Sequence, residues 1–178
     1  MPNPAHLLSL SRMLAAPPAA WALWADVAWL SCTLYAWAVL SDVCDGRLAR
    51  RRGEASELGT LLDHGADCLF VTLLIATAAA RGLLPLALPV LIVFAFARYA
   101  WAARLGAGTF RGSRLGRANG IGYFVIAGAA LVVSHFDPAP WATTVLAAGG
   151  WLVLLSTVVL LMRGPRGWLF AGRHVQRS

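Results

Sequence analysis

The sequence predicts an all-α integral membrane protein of six transmembrane helices with an N-terminal interfacial segment, and three observations carry that prediction. Of the 178 residues, 59% are apolar and only 13% charged, against roughly 25% charged in an ordinary soluble domain. The mean hydropathy is +0.67. The apolar residues fall into runs close to the ~20 residues that carry a helix across a hydrocarbon core. All fifteen basic residues are arginines, gathered mostly between those runs. Residues 1–178 read as a single membrane domain, with no repeat, low-complexity tract or linker that would divide it.

The first element, Leu7 to Trp24, contains Arg12 and the Pro17-Pro18 pair, so it is expected as a slanted interfacial stretch leading into a short span. No clean A-x-A cleavage signature precedes the next span, so the segment is expected to stay in the mature chain. Clear spans follow at 26–46, 58–80, 83–103, 118–135 and 140–162. Arginine sets the orientation. Arg47, Arg50, Arg51 and Arg52, then Arg104, Arg111, Arg114 and Arg117, then Arg163, Arg166, Arg173 and Arg177 form three groups separated by pairs of spans. They lie on one side, and the positive-inside tendency makes that side the cytoplasm of a cell membrane. Six spans place both termini there; five would place the N-terminus outside.

A net charge of +7 would point to nucleic acid in a soluble protein. Arginines flanking apolar spans meet anionic lipid headgroups instead, so no nucleic-acid partner is expected. Cys32, Cys44 and Cys68 have no CxxC spacing and lie in apolar stretches, where they read as small buried hydrophobes.

Four of the six aspartates, Asp42, Asp45, Asp63 and Asp67, lie at the cytoplasmic ends of two predicted spans. Carboxylates at such a place are paired, metal-bound or in a polar cavity. Asp42 and Asp45 are three apart, and Asp63 and Asp67 four apart, so each pair projects from one helix face. A turn with Glu54, Ser56 and Gly59 would run the second helix back beside the first, turning the four acids toward one another. Unneutralised, such a cluster repels itself and retains protons. Hard oxygen ligands suit Mg²⁺ or Mn²⁺, and two divalent ions would neutralise a diphosphate in a displacement at phosphorus. A carboxylate at the rim could take the proton of an attacking hydroxyl. The weaker alternative is a solvated ion-pair network with the arginines at 47 and 50–52, which would need neither this spacing nor the glycines.

The run D-V-C-D-G-R-L-A-R, eight residues, G-T-L-L-D-H-G-A-D, from Asp42 to Asp67, resembles the signature of the CDP-alcohol phosphotransferases at every fixed position. That resemblance implies a six-span enzyme, a homodimer as in most members, that transfers a substituted phosphate from a CDP-linked donor to an alcohol and releases CMP. It implies Asp42, Asp45 and Asp63 as metal ligands and Asp67 as a ligand that also serves as, or sits beside, the base. Gly46, Ala49 and Gly59 would be small so that the cytidine diphosphate lies against the helices. Arg50 would hold a donor phosphate, as a guanidinium fork does well. The stretch A-H-L-L-S-L-S-R from Ala5 to Arg12 is similar to the family's P-N-x-x-T-x-x-R pattern. Ser9 and Arg12 take the donor-side positions, and His6 stands where asparagine is usual.

For the acceptor, Arg98 lies mid-span and needs an anionic partner, and Arg111, Arg114 and Arg117 lie near the same face. They suit a phosphorylated acceptor and anionic headgroups alike. The L-G-R-A-N stretch is similar to the phosphatidylglycerophosphate synthase branch, in whose G-K-x-K-T loop Arg117 takes the first lysine and Asn119 replaces the second. His64 in D-H-G-x-D looks like the choline and ethanolamine branch. The expected reaction is phosphatidyl transfer from CDP-diacylglycerol to an alcohol such as glycerol 3-phosphate; the alternative is an aminoalcohol phosphotransferase using diacylglycerol. A metal-ion transporter would spread its acids through the membrane depth, which these do not do.

Overall fold

In a computed structural model, residues 4–52, 57–104, 114–136 and 139–162 are described. They form six helices: α1 (Pro4–Trp24), α2 (Ala28–Arg52), α3 (Glu57–Ala80), α4 (Ala87–Arg104), α5 (Arg114–His135) and α6 (Pro140–Met162). Among the described residues there is no strand. Successive helices run back and forth, so the stretches of α2 and α3 that carry Asp42, Asp63 and Asp67 lie toward one end of the bundle and the α1–α2, α3–α4 and α5–α6 turns at the other.

Leu61–Ala80, Arg114–His135 and Pro140–Met162 are long and apolar enough to cross a membrane, and Ala87–Ala102 is a shorter apolar helix. The spans expected at 58–80, 118–135 and 140–162 therefore have their helices. Those expected at 26–46 and 83–103 are modified. In α2 the apolar run shares one helix with the charged stretch ending at Arg52. The span at 83–103 begins late, because α3 ends in a Schellman motif. Gly82, at φ 78°, donates its N–H to Ala79 O at 2.9 Å, and Leu83 donates to Ala78 O at 3.0 Å. Glycine takes this left-handed position without steric cost. Asp26, at φ 58°, fills the same position after α1, with Val27 N–H donating to Ala22 O at 2.8 Å.

The segment expected at 7–24 lies in one continuous helix that runs through Pro17 and Pro18. It is also the hub of the bundle. Ala16, Ala19, Ala22 and Leu23 of α1 are fully buried, together with Phe70, Leu74, Ile75 and Ala78 of α3. Alanines let helix backbones approach closely, and close packing is what holds helices together in lipid. α1 packs most extensively on α3 and on α2, whereas α2 and α3 scarcely touch among the described residues. The expected direct pairing of the two aspartate helices is thus replaced by a sandwich with α1 between them.

Elsewhere, Gly128 of α5 admits Tyr35 of α2 so closely that an added Cβ would lie 2.6 Å from its hydroxyl oxygen. That hydroxyl donates to Phe124 O at 2.7 Å. The perimeter is apolar. Trp21, Trp24, Trp29 and Trp141 are exposed at the end away from Asp42, Asp63 and Asp67, the arrangement of an aromatic belt at a membrane interface. Cys32 and Cys68 are free, partly buried thiols.

Candidate active site

The functional side chains come from three helices. α3 presents Asp63 and Asp67 on one face, one turn apart, as their spacing requires. α2 supplies Asp42, whose side chain is 49% exposed. Ligand oxygens of Asp42, Asp63 and Asp67 lie within 4.8 Å of one another. The side chains of Asp45, Gly46, Ala49 and Arg50 lie outside the described residues, as does the whole of Arg111.

α1 supplies what neutralises the acids. Arg12 is fully buried, and its Nη1 donates to Asp67 Oδ1, lies 3.3 Å from Asp63 Oδ1 and 3.8 Å from Asp42 Oδ1. Its Nε donates to Ser41 Oγ at 3.1 Å, and the Ser41 hydroxyl donates to Ala38 O at 2.9 Å. Ser9, one turn before Arg12 and 5% exposed, donates to Asp63 Oδ1 at 3.3 Å. A buried guanidinium is tolerable only among acceptors, and here three carboxylates and a hydroxyl surround it. Sequence resemblance placed Ser9 and Arg12 on the donor side; the fold also makes them direct partners of the acids. Ser41 was not foreseen. Its only sequence signal is that it precedes Asp42, and its role depends on how α1 is rotated.

Three carboxylates converging on a rim offer the hard oxygen donors that a divalent cation takes. Among the described residues one guanidinium faces three carboxylates, so the donor set and the charge both fit such an ion.

The residues expected on the acceptor side are more scattered. His64 is exposed and stacks on Tyr99 of α4, ring centroids 5.4 Å apart, with Phe96 next to Tyr99. Arg98 donates to Leu161 O, in the last turn of α6. Helix C-terminal carbonyls carry partial negative charge and lack intrahelical donors, so they supply a partner of the kind mid-span arginine requires. Arg114 and Arg117 are exposed. Asn119 is 4% exposed, accepts from Ser156 Oγ at 2.6 Å and lies 3.5 Å from Thr157 Oγ1, which in turn meets the Tyr123 hydroxyl at 2.8 Å. That position therefore serves α5–α6 packing. An apolar recess of about 320 Å³, lined by Leu61, Phe96, Ala97, Ala100 and Trp101, opens between α3 and α4. Leu61 is two residues from Asp63, a spacing that projects the two side chains from different faces of α3, and no acid lines the recess.

Comparison with known proteins identifies a family. Residues 2–163 match the family model described as CDP-alcohol phosphatidyltransferase. Over 88 residues the chain is 36% identical to a protein of Schizosaccharomyces pombe named "Cardiolipin synthase (CMP-forming) / mitochondrial hydrolase fusion protein". The match spans 49% of this chain and 15% of that protein. No solved structure matches the chain.

Proposed function

The chain belongs to the CDP-alcohol phosphatidyltransferase family, and from that premise we propose that it transfers a phosphatidyl group from CDP-diacylglycerol to an alcohol, releasing CMP in phospholipid synthesis. The observation that carries this reading is the convergence of Asp42, Asp63 and Asp67 within 4.8 Å around a buried arginine, in a chain whose sequence signature asks for those aspartates. The family's description as phosphatidyltransferases favours a donor with acyl chains.

In the reaction, the acceptor oxygen attacks the phosphorus that carries the diacylglycerol. The P–O bond to CMP breaks, and CMP leaves with the bonding pair. The acceptor proton passes to a carboxylate, for which Asp67 is the candidate. Asp42, Asp45, Asp63 and Asp67 would hold Mg²⁺ or Mn²⁺, two ions in all, which supply electrostatic stabilisation of the diphosphate and the leaving phosphate. Gly46, Ala49 and Gly59 would give the cytidine diphosphate room, with Arg50 on its phosphate. Arg114 and Arg117, both exposed, are the acceptor-side candidates for a phosphorylated alcohol, and Arg98, Arg111 and His64 are further candidates. The active site would face the cytoplasm, and the working unit would be a homodimer.

The test is CMP release by purified protein supplied with CDP-diacylglycerol, Mg²⁺ or Mn²⁺ and a panel of alcohols. Glycerol 3-phosphate is the leading acceptor; phosphatidylglycerol would yield cardiolipin, the product in the relative's name. No CMP from any acceptor, with helicity intact, would sink the reading. CMP released from CDP-choline or CDP-ethanolamine with diacylglycerol, and not from CDP-diacylglycerol, would establish the aminoalcohol reaction instead.

A further inference from the structure

We propose that Arg12 is a built-in counter-ion of the acid cluster that competes with the divalent cation for the same oxygens, so that loading metal requires Arg12 to give up its carboxylates. The proposal rests on reading Asp42, Asp63 and Asp67 as the metal centre.

Arg12 Nη1 addresses the Oδ1 atoms of all three aspartates at once. A Mg²⁺-sized ion bound by those residues needs oxygens at about 2.0–2.1 Å. It would therefore sit inside the triangle onto which the guanidinium nitrogen already converges, and two positive centres cannot share that point. The arrangement is held from behind. Ser41 fixes Nε at 3.1 Å, and α1 is wedged between α2 and α3 with the arginine wholly buried. Without a cation of some kind the three carboxylates would repel one another, and Arg12 is the fixed charge that lets them be assembled as the chain folds. Once freed from the carboxylates, a guanidinium is available to donor phosphate, for which its fork is well suited. This gives Arg12 its expected donor-side contact as a consequence of metal loading.

The experiment is a Mn²⁺ titration of the detergent-solubilised full chain, read by electron paramagnetic resonance, alongside thermal unfolding with and without Mn²⁺. Arg12→Gln removes the charge and keeps a polar side chain. It is expected to bind Mn²⁺ about tenfold more tightly than the wild type, the scale on which one nearby charge acts, and to gain more thermal stabilisation from Mn²⁺. Ser41→Ala loosens only the Nε tether and should shift Mn²⁺ binding in the same direction by a smaller factor, which keeps the idea testable if Arg12→Gln does not fold. Arg12→Lys retains the competing charge and should stay near the wild type. Equal or weaker Mn²⁺ binding in Arg12→Gln or, should that variant not fold, in Ser41→Ala would overturn the competition while leaving the metal centre standing. Absence of Mn²⁺ binding in the wild type would overturn the metal-centre reading itself, and this inference with it.

Discussion

The two ends of the bundle each pair an arginine with aspartate, and they use the pair differently. At one end Arg12 is fully buried and surrounded by three carboxylates drawn from α2 and α3. At the other, Arg81 donates to Asp26 Oδ1 at 2.7 Å and to Leu23 O at 2.6 Å, with side chains 25% and 61% exposed. His135 joins that end, 4.0 Å from Asp26 and 2.8 Å from the Ser31 hydroxyl. The second cluster ties three turns together in reach of water, where an ion pair contributes little. Removing the acids of the first would strand a wholly buried guanidinium. The burial of the arginine, more than the residue types, separates the two clusters.

The largest test of this contrast is Asp67→Asn. With the acid end as the reaction centre, CMP release should fall by about 10²–10⁴-fold, the range of a general base, while circular dichroism keeps its helical signal. Undiminished turnover would remove Asp67 from the base role. Asn119→Lys comes next. Restoring a lysine to the loop position where the phosphatidylglycerophosphate synthase branch has one should not improve use of glycerol 3-phosphate, because the side chain faces Ser156 and Thr157. It should cost stability by about 1–3 kcal/mol through lost hydrogen bonds and an ill-placed charge. A gain in glycerol 3-phosphate turnover would show that the position reaches the acceptor.

Gly128→Ala forces Tyr35 away and should destabilise the fold by about 1–3 kcal/mol, as overpacking does, measured by thermal unfolding. An unchanged midpoint would mean that α2 and α5 can separate freely. The smallest effect belongs to the second cluster. Arg81→Ala should lower stability by about 1 kcal/mol or less, with CMP release per folded molecule unaltered. Asp26→Gly should be smaller still, since losing the exposed ion pair is offset by relief at a left-handed backbone position. A loss of activity in either would connect the two ends and break the contrast.

Several features were legible before any coordinates. Helical class, membrane character and the helices near 58–80, 118–135 and 140–162 follow from run length and composition, which are local properties. Asp63 and Asp67 were legible as a pair because helical periodicity puts residues four apart on one face. Other features could not be read locally. Turn geometry at Gly82 delayed α4, and the polar end of α2 shares a helix with its apolar run, so neither boundary follows from hydropathy. Asn119 looked like a substituted loop residue until packing turned it toward α6.

The aspartates and their spacing were determined by sequence alone, and with them the family signature and the class of chemistry. Only the tertiary structure decided what lies among them. The sequence suggested two aspartate helices facing each other, whereas the fold inserts the alanine face of α1 between α2 and α3 and brings Arg12 and Ser9 onto the acids. Small side chains made that close approach possible, and three converging carboxylates made a cation there necessary. Periodicity acts within a helix, but which helix lies between two others depends on the packing of all six.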